Sequence, residues 1–292
     1  MLFRPHILFR PPAEADSVLI RIADGCPWNA CTFCAMYKGI HYRALPLDEC
    51  LRAIRREARR QPDAARVFLA DGDVMALPFD LLRAVLDELN AAFPRLARVS
   101  VYANGHSIMG KSDDALGALR ERKLHTLYLG LESGSDDVLR VVHKRETAAE
   151  MVSAGQRAQA AGLRMSVMVL IGLAGRAGSA LHVRATAAAL NRMQPRLLSA
   201  LRYIPIAGTP LHHDLLAAHQ MLTEDEAVRE VRDLLAGLQL DRTVFRADHS
   251  SNIVPLQGRF PADKARLLAE LDALLASGTL DRQTPGPLPT ML

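Results

Sequence analysis

The segment Val18-Leu19-Ile20-Arg21-Ile22-Ala23-Asp24-Gly25-Cys26-Pro27-Trp28-Asn29-Ala30-Cys31-Thr32-Phe33-Cys34 carries an apolar run directly into a loop that holds three of the chain's four cysteines. Four residues separate Cys26 from Cys31 and two separate Cys31 from Cys34, so one short loop can wrap a metal with little closure entropy. Thiolates select zinc and iron–sulfur clusters. A closed structural zinc site takes four protein ligands, and no Cys-x-x-Cys or His-x3-His partner supplies the fourth here, although His41 follows seven residues on. Three thiolates on a cubane leave one iron open to a small molecule. The alternatives are a redox cysteine pair beside a buried thiol, or an adventitious zinc site.

Outward from this loop, strand and helix signals alternate. Residues 17–23 read as a buried strand, followed by a helix with Leu47, Leu51, Ile54 and Ala58 on one face. Cys50 sits beside that face and reads as a core thiol. A strand at 66–70 precedes a helix with Pro78 at its first position, and a strand at 99–102 precedes a helix from Ser112, whose Asp113 and Asp114 suit the positive helix start. After a strand at 124–129, Thr147-x-x-Glu150 is a capping box for a helix that stops at Gly162. A strand at 164–171, a helix at 179–192 and a sixth strand at 197–204 complete the series.

Six such units with continuous apolar strands predict an α/β fold with a parallel sheet covered on both faces. A partial barrel and an open doubly wound sheet fit this pattern equally. Beyond Gly208-Thr209-Pro210 the alternation ends. Thr223-x-x-Glu226 caps a further helix, 243–246 is a short extended segment, and 261–277 is an amphipathic helix closed by Gly278. The expected organisation is an N-terminal arm (1–15), the main fold (16–210), a C-terminal helical extension closing it (211–280), and a flexible tail (281–292) with Pro285, Pro287 and Pro289.

The cysteine loop resembles the cluster loop of the radical S-adenosylmethionine (SAM) superfamily, whose common spacing has three residues, not four, between the first two cysteines. The longer spacing occurs in some of its branches. Pro11-Pro12-Ala13-Glu14-Ala15-Asp16-Ser17 and Cys34-Ala35-Met36-Tyr37-Lys38-Gly39 look like a small, single-domain branch. Leu131-Glu132-Ser133-Gly134 with Val138-Leu139 and Lys144 is similar to the coproporphyrinogen dehydrogenase and tRNA methylthiotransferase relatives. The resemblance spans most of residues 11 to 260. It implies a partial (β/α)6 TIM-like barrel, a [4Fe–4S] cluster on Cys26, Cys31 and Cys34, and SAM bound to the open iron through its amino and carboxylate groups. Reduction by a donor such as flavodoxin or ferredoxin then cleaves SAM to methionine and a 5′-deoxyadenosyl radical that abstracts a substrate hydrogen. Cleavage of another SAM bond, giving an aminocarboxypropyl radical, stays open.

Chemistry in parallel α/β folds gathers at the carboxyl ends of the strands. Asp71-Gly72-Asp73 matches in position the family motif that receives the SAM amino group, a task for a carboxylate or carbonyl acceptor. Its alternative is a turn with capping aspartates. Tyr102 and Asn104 are placed to meet ribose or substrate, although Asn104-Gly105 is also a common turn pair. In similar proteins a polar residue at the position of Glu132 meets the ribose or methionine part of SAM; a helix-start charge is the other reading. Ile171 and Gly172 offer apolar and backbone contacts to adenine, or ordinary core packing. Arg202, with Tyr203 beside it, suits the SAM carboxylate or an acidic substrate. Phe33 resembles the aromatic residue that packs near SAM, and Lys38 and Arg43 are charges near the cluster loop or surface charges.

For substrate, the candidate is His249-Ser250-Ser251-Asn252, which groups small hydrogen-bonding side chains where no helical period runs. Turn and cap roles are its alternative, and Glu14, Tyr37 and His106 are further candidates.

The 292 residues, 49% of them hydrophobic, can fill a sizeable core. The net charge of +4 comes mostly from arginines along helices such as Arg52, Arg55, Arg56, Arg59 and Arg60, with no aromatic interleaving. That reads as a solvated face and not a nucleic-acid footprint. No stretch has the length of a membrane span, and the first residues lack an apolar signal region. Free thiol ligands suit a reducing compartment, so a cytoplasmic protein is expected. One cysteine beyond the three is too few for an auxiliary cluster, which argues against sulfur insertion, and barely twenty residues precede the loop, too few for a cobalamin domain. A hydrogen-abstracting enzyme acting on a small molecule is the expectation. A zinc-holding scaffold and a SAM-binding carrier without turnover are its rivals.

Changing Cys26, Cys31 or Cys34 singly to Ala is expected to abolish iron retention after anaerobic reconstitution, and Cys50→Ala to leave it intact. Iron counted per chain decides the matter: a variant of the first three that keeps its cluster sinks the ligand assignment.

Overall fold

Burial on both faces explains why the strands read as unbroken apolar runs. In the computed structural model, which describes residues 8–217 and 220–286, Val67, Phe68, Leu69, Val99, Val101, Leu127, Leu129, Val167 and Val169 are fully buried. Residues 1–7 of the expected arm and 287–292 of the expected tail lie outside the described residues. The strands of the main sheet are β1 (Val18–Arg21), β2 (Arg66–Ala70), β3 (Arg98–Tyr102), β4 (Leu124–Glu132), β5 (Arg164–Ile171), β6 (Leu197–Arg202), β7 (Val244–Ala247) and β8 (Leu256–Arg259), and Ala23–Asp24 pairs separately with Arg43–Ala44. The helices are α1 (Leu47–Arg60), α2 (Phe79–Ala92), α3 (Gly105–Met109), α4 (Asp113–Glu121), α5 (Asp136–Val141), α6 (Ala148–Ala160), α7 (Gly175–Met193), α8 (Pro210–Ala217), α9 (Glu224–Gly237) and α10 (Lys264–Ser277).

The strands follow one another in the sheet in chain order, β1 to β8. The pairs β1–β2, β2–β3, β3–β4, β5–β6 and β6–β7 are parallel, and β7–β8 is antiparallel. A doubly wound sheet reverses its strand order at a switch point. Stepwise progression is the topology of a barrel wall, so the alternative that the sequence leaves open is removed.

The chain forms two compact units. One holds the described residues up to Asn29, with Tyr37–Tyr128 and Arg157–Arg164; the other holds Ala30–Met36, Leu129–Gln156 and Met165 onward. In the first, α1 packs on β1 and on α2, burying Cys50, Ile54 and Ala58. Leu47, expected on that face, opens the helix and is exposed. In the second, α9 packs against both α7 and α10.

Several boundaries differ from the sequence reading. Pro78 is the N-cap of α2, one position before the helix. α7 begins at Gly175, directly after the β5 turn. Helices α3, α5 and α8 have five, six and eight residues, too short to leave a 3.6-residue period. The C-terminal extension is not purely helical, since β7 and β8 lengthen the sheet. Residues 281–286 lie along the start of α9. Glu224 N donates to Thr284 O and Asp225 N to Asp281 O, both at 3.1 Å, and these two helix-start donors have no partner inside the helix.

One polar group sits deep in the first unit. Glu14, in the turn before β1, is 1% exposed. It accepts hydrogen bonds from the Ser17 hydroxyl, from Ser100 Oγ on β3 at 2.9 Å and from Tyr128 Oη on β4 at 2.9 Å, and Arg98 lies 3.6 Å away. This arrangement is a strut tying the entry segment to two strands, β3 and β4.

Removing it strands the three hydroxyls of Ser17, Ser100 and Tyr128 and takes the carboxylate away from the partly exposed Arg98. Glu14→Ala is expected to cost about 3 kcal/mol in urea unfolding, and a loss under about 1 kcal/mol would show the strut to be dispensable.

Candidate functional site

At the ends of β1, β2 and β3 the first unit builds one hydrogen-bonded knot. Gly25 N donates to Asp71 Oδ2 at 2.9 Å, and Gly72 N donates back to Gly25 O at 3.1 Å. This exchange ties the start of the cysteine loop to the β2 turn. Gly72 is required sterically: a Cβ there would stand 2.8 Å from Tyr37 Cε2 and 3.0 Å from Cys26 Cβ. Asp73 accepts from Asn104 Nδ2 at 2.9 Å and from Ser107 Oγ at 2.8 Å, while Asn104 caps α3. The sequence reading of Asn104-Gly105 as a turn pair therefore becomes a helix start. The Tyr42 phenol is pushed up to about 12 by burial first, then by the Asp73 and Cys26 charges.

The second unit holds Cys31 and Cys34. Thr32 N donates to Val142 O at 3.0 Å and Leu211 N to Thr32 O at 3.2 Å, which pins this part of the loop between the end of α5 and the start of α8. Phe33 packs against Val138, Val142, Leu173, Tyr203, Leu211 and Leu215.

Each residue of the motif after β4 has its own partner. Glu132 takes a left-handed φ of +61°, and its carboxylate folds back to lie 3.4 Å from Lys144 Nζ, both nearly buried. Gly130 makes room, because a Cβ there would fall 1.9 Å from Glu132 Oε1. Burial opposes charge on Lys144, but Glu132, then Cys31 and Glu146, outweigh it and raise its pKa, so Lys144 is an ammonium. Ser133 Oγ lies 2.8 Å from His182 Nδ1, Ser135 caps α5, and Gly134 lets the turn approach α7, where a Cβ would meet Ala185 O at 2.2 Å.

At the ends of β5 and β6, Ile171, Gly172, Arg202, Tyr203, Leu215, Met221, Leu222, Ala227 and Pro285 line a narrow crevice. Arg202 Nε donates to Ser251 O at 2.6 Å and Nη1 to Pro285 O at 2.5 Å. Burial lowers its pKa below the ordinary guanidinium value. The Asn252 carboxamide bridges the edge of β6, donating to Ala200 O and accepting from Arg202 N. His249 Nδ1 pairs with Ser251 within the same turn, and Ser250 is exposed. The structure thus joins His249, Ser251 and Asn252 to Arg202 through the backbone.

Of the other candidates, Glu14 is the core strut and His106 is exposed on α3. Lys38 Nζ donates to Asn29 O, and Arg43 pairs with Asp24 at 2.7 Å. Cys50 is fully buried, and burial pushes its thiol up to about 11.

Cys26, Cys31 and Cys34 are half-buried thiols outside any disulfide. Among the described residues no three His, Cys, Asp or Glu side chains are gathered into a metal-binding arrangement. The fit to a cluster rests on the donor chemistry. Soft ligands sit in a short loop, beside the buried Tyr42 and Thr32 hydroxyls, which have no protein hydrogen-bond partner among the described residues. Residues 20–176 match the family described as the radical SAM superfamily. The chain belongs to that superfamily.

Proteins of this family use a [4Fe–4S] cluster and SAM. This radical SAM protein is 24% identical over 154 residues to the heme chaperone HemW of Bacillus subtilis, covering 50% of this chain and 40% of that one. Its fold is similar to coproporphyrinogen III oxidase (HemN) from Escherichia coli, a radical SAM enzyme, with a TM-score of 0.58 and 15% identity over 75% of this chain and 51% of the other. It is also similar to Elp3 of the archaeon Methanocaldococcus infernus, with a TM-score of 0.53 and 11% identity over 92% and 65%. The chain spans about half the length of the first two relatives. At these identities the structural likeness concerns the fold.

Sequence reasoning missed His182, Thr186 and Glu230, whose polar side chains are buried on α7 and α9. A polar residue inside an otherwise apolar helix face was the available signal.

Gly130→Ala and Glu132→Ala are each expected to destabilise the protein by about 3 kcal/mol. The double variant should lose no more than the worse single one, because the methyl group then occupies the space the carboxylate left. Additive losses in urea unfolding would refute the steric account.

Proposed function

We propose that this protein is a radical SAM enzyme that abstracts hydrogen from a small-molecule substrate, with Cys26, Cys31 and Cys34 holding the cluster. The observation that carries this reading is the family match over residues 20–176 together with three closely spaced cysteines, none in a disulfide, in its first loop. The donor set fits a cluster with one open iron and does not complete a zinc site. When bound, the cluster and SAM supply one electron and a 5′-deoxyadenosyl radical, and the protein supplies position and exclusion of water.

The chain's own residues divide that work. Gly72 allows close approach of the β2 turn, where Asp71 and Asp73 hold the loop and α3. Glu132, Ile171 and Gly172 present the β4 and β5 ends to SAM, and Phe33 supplies an apolar wall. Asn104 acts through Asp73. Lys144, beside Glu132, places a buried positive charge near Cys31, which favours a reduced, more negative cluster. Arg202 and Tyr203 border the pocket proposed for substrate, and the His249–Asn252 turn shapes its edge. A reducing cytoplasmic setting with a flavodoxin or ferredoxin donor fits these parts, and no helix among the described residues is long and apolar enough to cross a membrane.

A second reading follows from the relative named as a heme chaperone: a carrier that binds heme or SAM without turnover.

One experiment separates the two. Protein reconstituted anaerobically with iron and sulfide is expected to hold about four irons per chain and, with SAM and dithionite, to yield 5′-deoxyadenosine detected by mass spectrometry. Zinc in place of iron, or a loaded cluster that never cleaves SAM, overturns the enzyme reading; heme binding under the latter condition supports the carrier.

A further inference from the structure

Behind the β4 and β5 turns, a group of buried polar side chains has no part in the roles above. Glu230 on α9 is 2% exposed and His182 on α7 is 1% exposed. Glu230 Oε1 accepts the Gly172 N–H at 2.6 Å, and Oε2 accepts the Ser179 hydroxyl. His182 Nε2 lies 3.6 Å from Glu230 Oε1. On the other side of the ring, Nδ1 is 2.8 Å from Ser133 Oγ, which itself accepts the Ser135 N–H at 3.0 Å. The Ser133 hydroxyl hydrogen is free to point at Nδ1, which suits a neutral His182 with its proton on Nε2.

The two turns joined in this way need holding. Glu132 has φ +61°, a conformation that a residue with a side chain keeps only where its surroundings impose it, and Gly172 has φ +83°, which glycine adopts without strain. Both are residues that the proposed function brings to SAM.

We propose that Glu230 and His182 are positioning residues, which hold the β5 turn through Gly172 N–H and the β4 turn through Ser133, and that the ionisation of Glu230 sets how tightly SAM binds. The inference rests on the SAM-binding reading of those turns. An ionised Glu230 accepts from both the Gly172 amide and the Ser179 hydroxyl. A proton on the carboxyl removes the negative charge that strengthens both bonds, so the Gly172 amide is held less tightly and the turn loosens.

The surroundings place this change near neutral pH. Glu230 faces Ser179 and His182 on α7, the Gly172 amide at the β5 turn, and Asp233 on its own helix. Burial pushes its carboxyl up to about 7, against the lowering effect of the Ser179 and Gly172 hydrogen bonds, and Asp233 adds to the rise. Burial holds His182 down at about 4, so the ring stays neutral over the same range.

The test is SAM binding to anaerobically reconstituted protein, measured by equilibrium dialysis from pH 6 to 8.5. The wild-type Kd is expected to rise several-fold as pH falls through 7. Glu230→Gln, which keeps the volume and cannot ionise, should bind with the weaker, low-pH Kd throughout. Ser179→Ala removes one bond to the carboxylate from a partly exposed position, and should move the midpoint of the profile to higher pH. Asp272→Asn, which breaks an exposed ion pair between α10 and Arg232 of α9, serves as the control and should keep the wild-type profile. If Glu230→Gln titrates like wild type, or if its Kd equals the wild-type high-pH value, the positioning role is wrong while SAM binding stands. If wild-type protein binds no SAM, both the proposed function and this inference fall.

Discussion

A strand buried on both faces has nowhere to display chemistry except at its ends. That constraint organises the whole protein. Phe68, Leu69, Val99, Val101, Leu127 and Leu129 leave no room for a functional group within the sheet, so polar residues collect where each strand gives way to its loop. Within each unit the parallel pairs put their carboxyl ends at the same edge. The cysteine loop, Asp71-Gly72-Asp73, Asn104, Glu132, Gly172 and Arg202 are successive occupants of such ends.

Polar groups at these ends are only half exposed or less, and each is held by a specific partner. Unpaired, a buried carboxylate costs several kcal/mol (roughly 3 to 5 when a partner is removed). The solutions differ by strand. At β2 the Asp71 carboxylate accepts a backbone amide of the cysteine loop; at β3 the Asn104 and Ser107 side chains donate to Asp73; at β4 a lysine twelve residues on meets Glu132. At β5 the partner comes from α9, far along the chain. Glycine recurs beside them because a methyl group would occupy the place of the folded-back side chain or loop: Gly72 against Cys26, Gly130 against Glu132, and Gly134 against the α7 backbone.

The C-terminal segment belongs to this scheme. β7 and β8 continue the sheet, α9 delivers Glu230, and the 249–252 turn with Pro285 surrounds the Arg202 guanidinium by backbone carbonyls. A guanidinium satisfied in this way is fixed in direction, which is a condition for reading the shape of an acidic or polar ligand. The extension is thus part of the pocket wall and not an appendage.

The six βα units, the helix caps at Ser112, Thr147 and Thr223, the core thiol Cys50 and the three-thiol loop were legible in the chain, because each depends on neighbours within a few residues: an apolar run, a capping spacing, a Cys-x-x-Cys. The strand order was not legible, since a buried strand carries no mark of which strand it will meet, and only pairing removed the doubly wound alternative. Short helices such as α3 escaped because five residues hold no period. The partners of the strand-end residues escaped for a different reason. Lys144 stands near Glu132 in sequence, yet their contact needs a left-handed turn at Glu132 and an absent side chain at Gly130. Glu230 reaches Gly172 across 58 residues, and only the packing of α9 on α7 brings a carboxylate there. Local periodicity determined which segments form the wall, and long-range packing decided which polar groups it holds in place, because burial is a property of the fold and not of the residue.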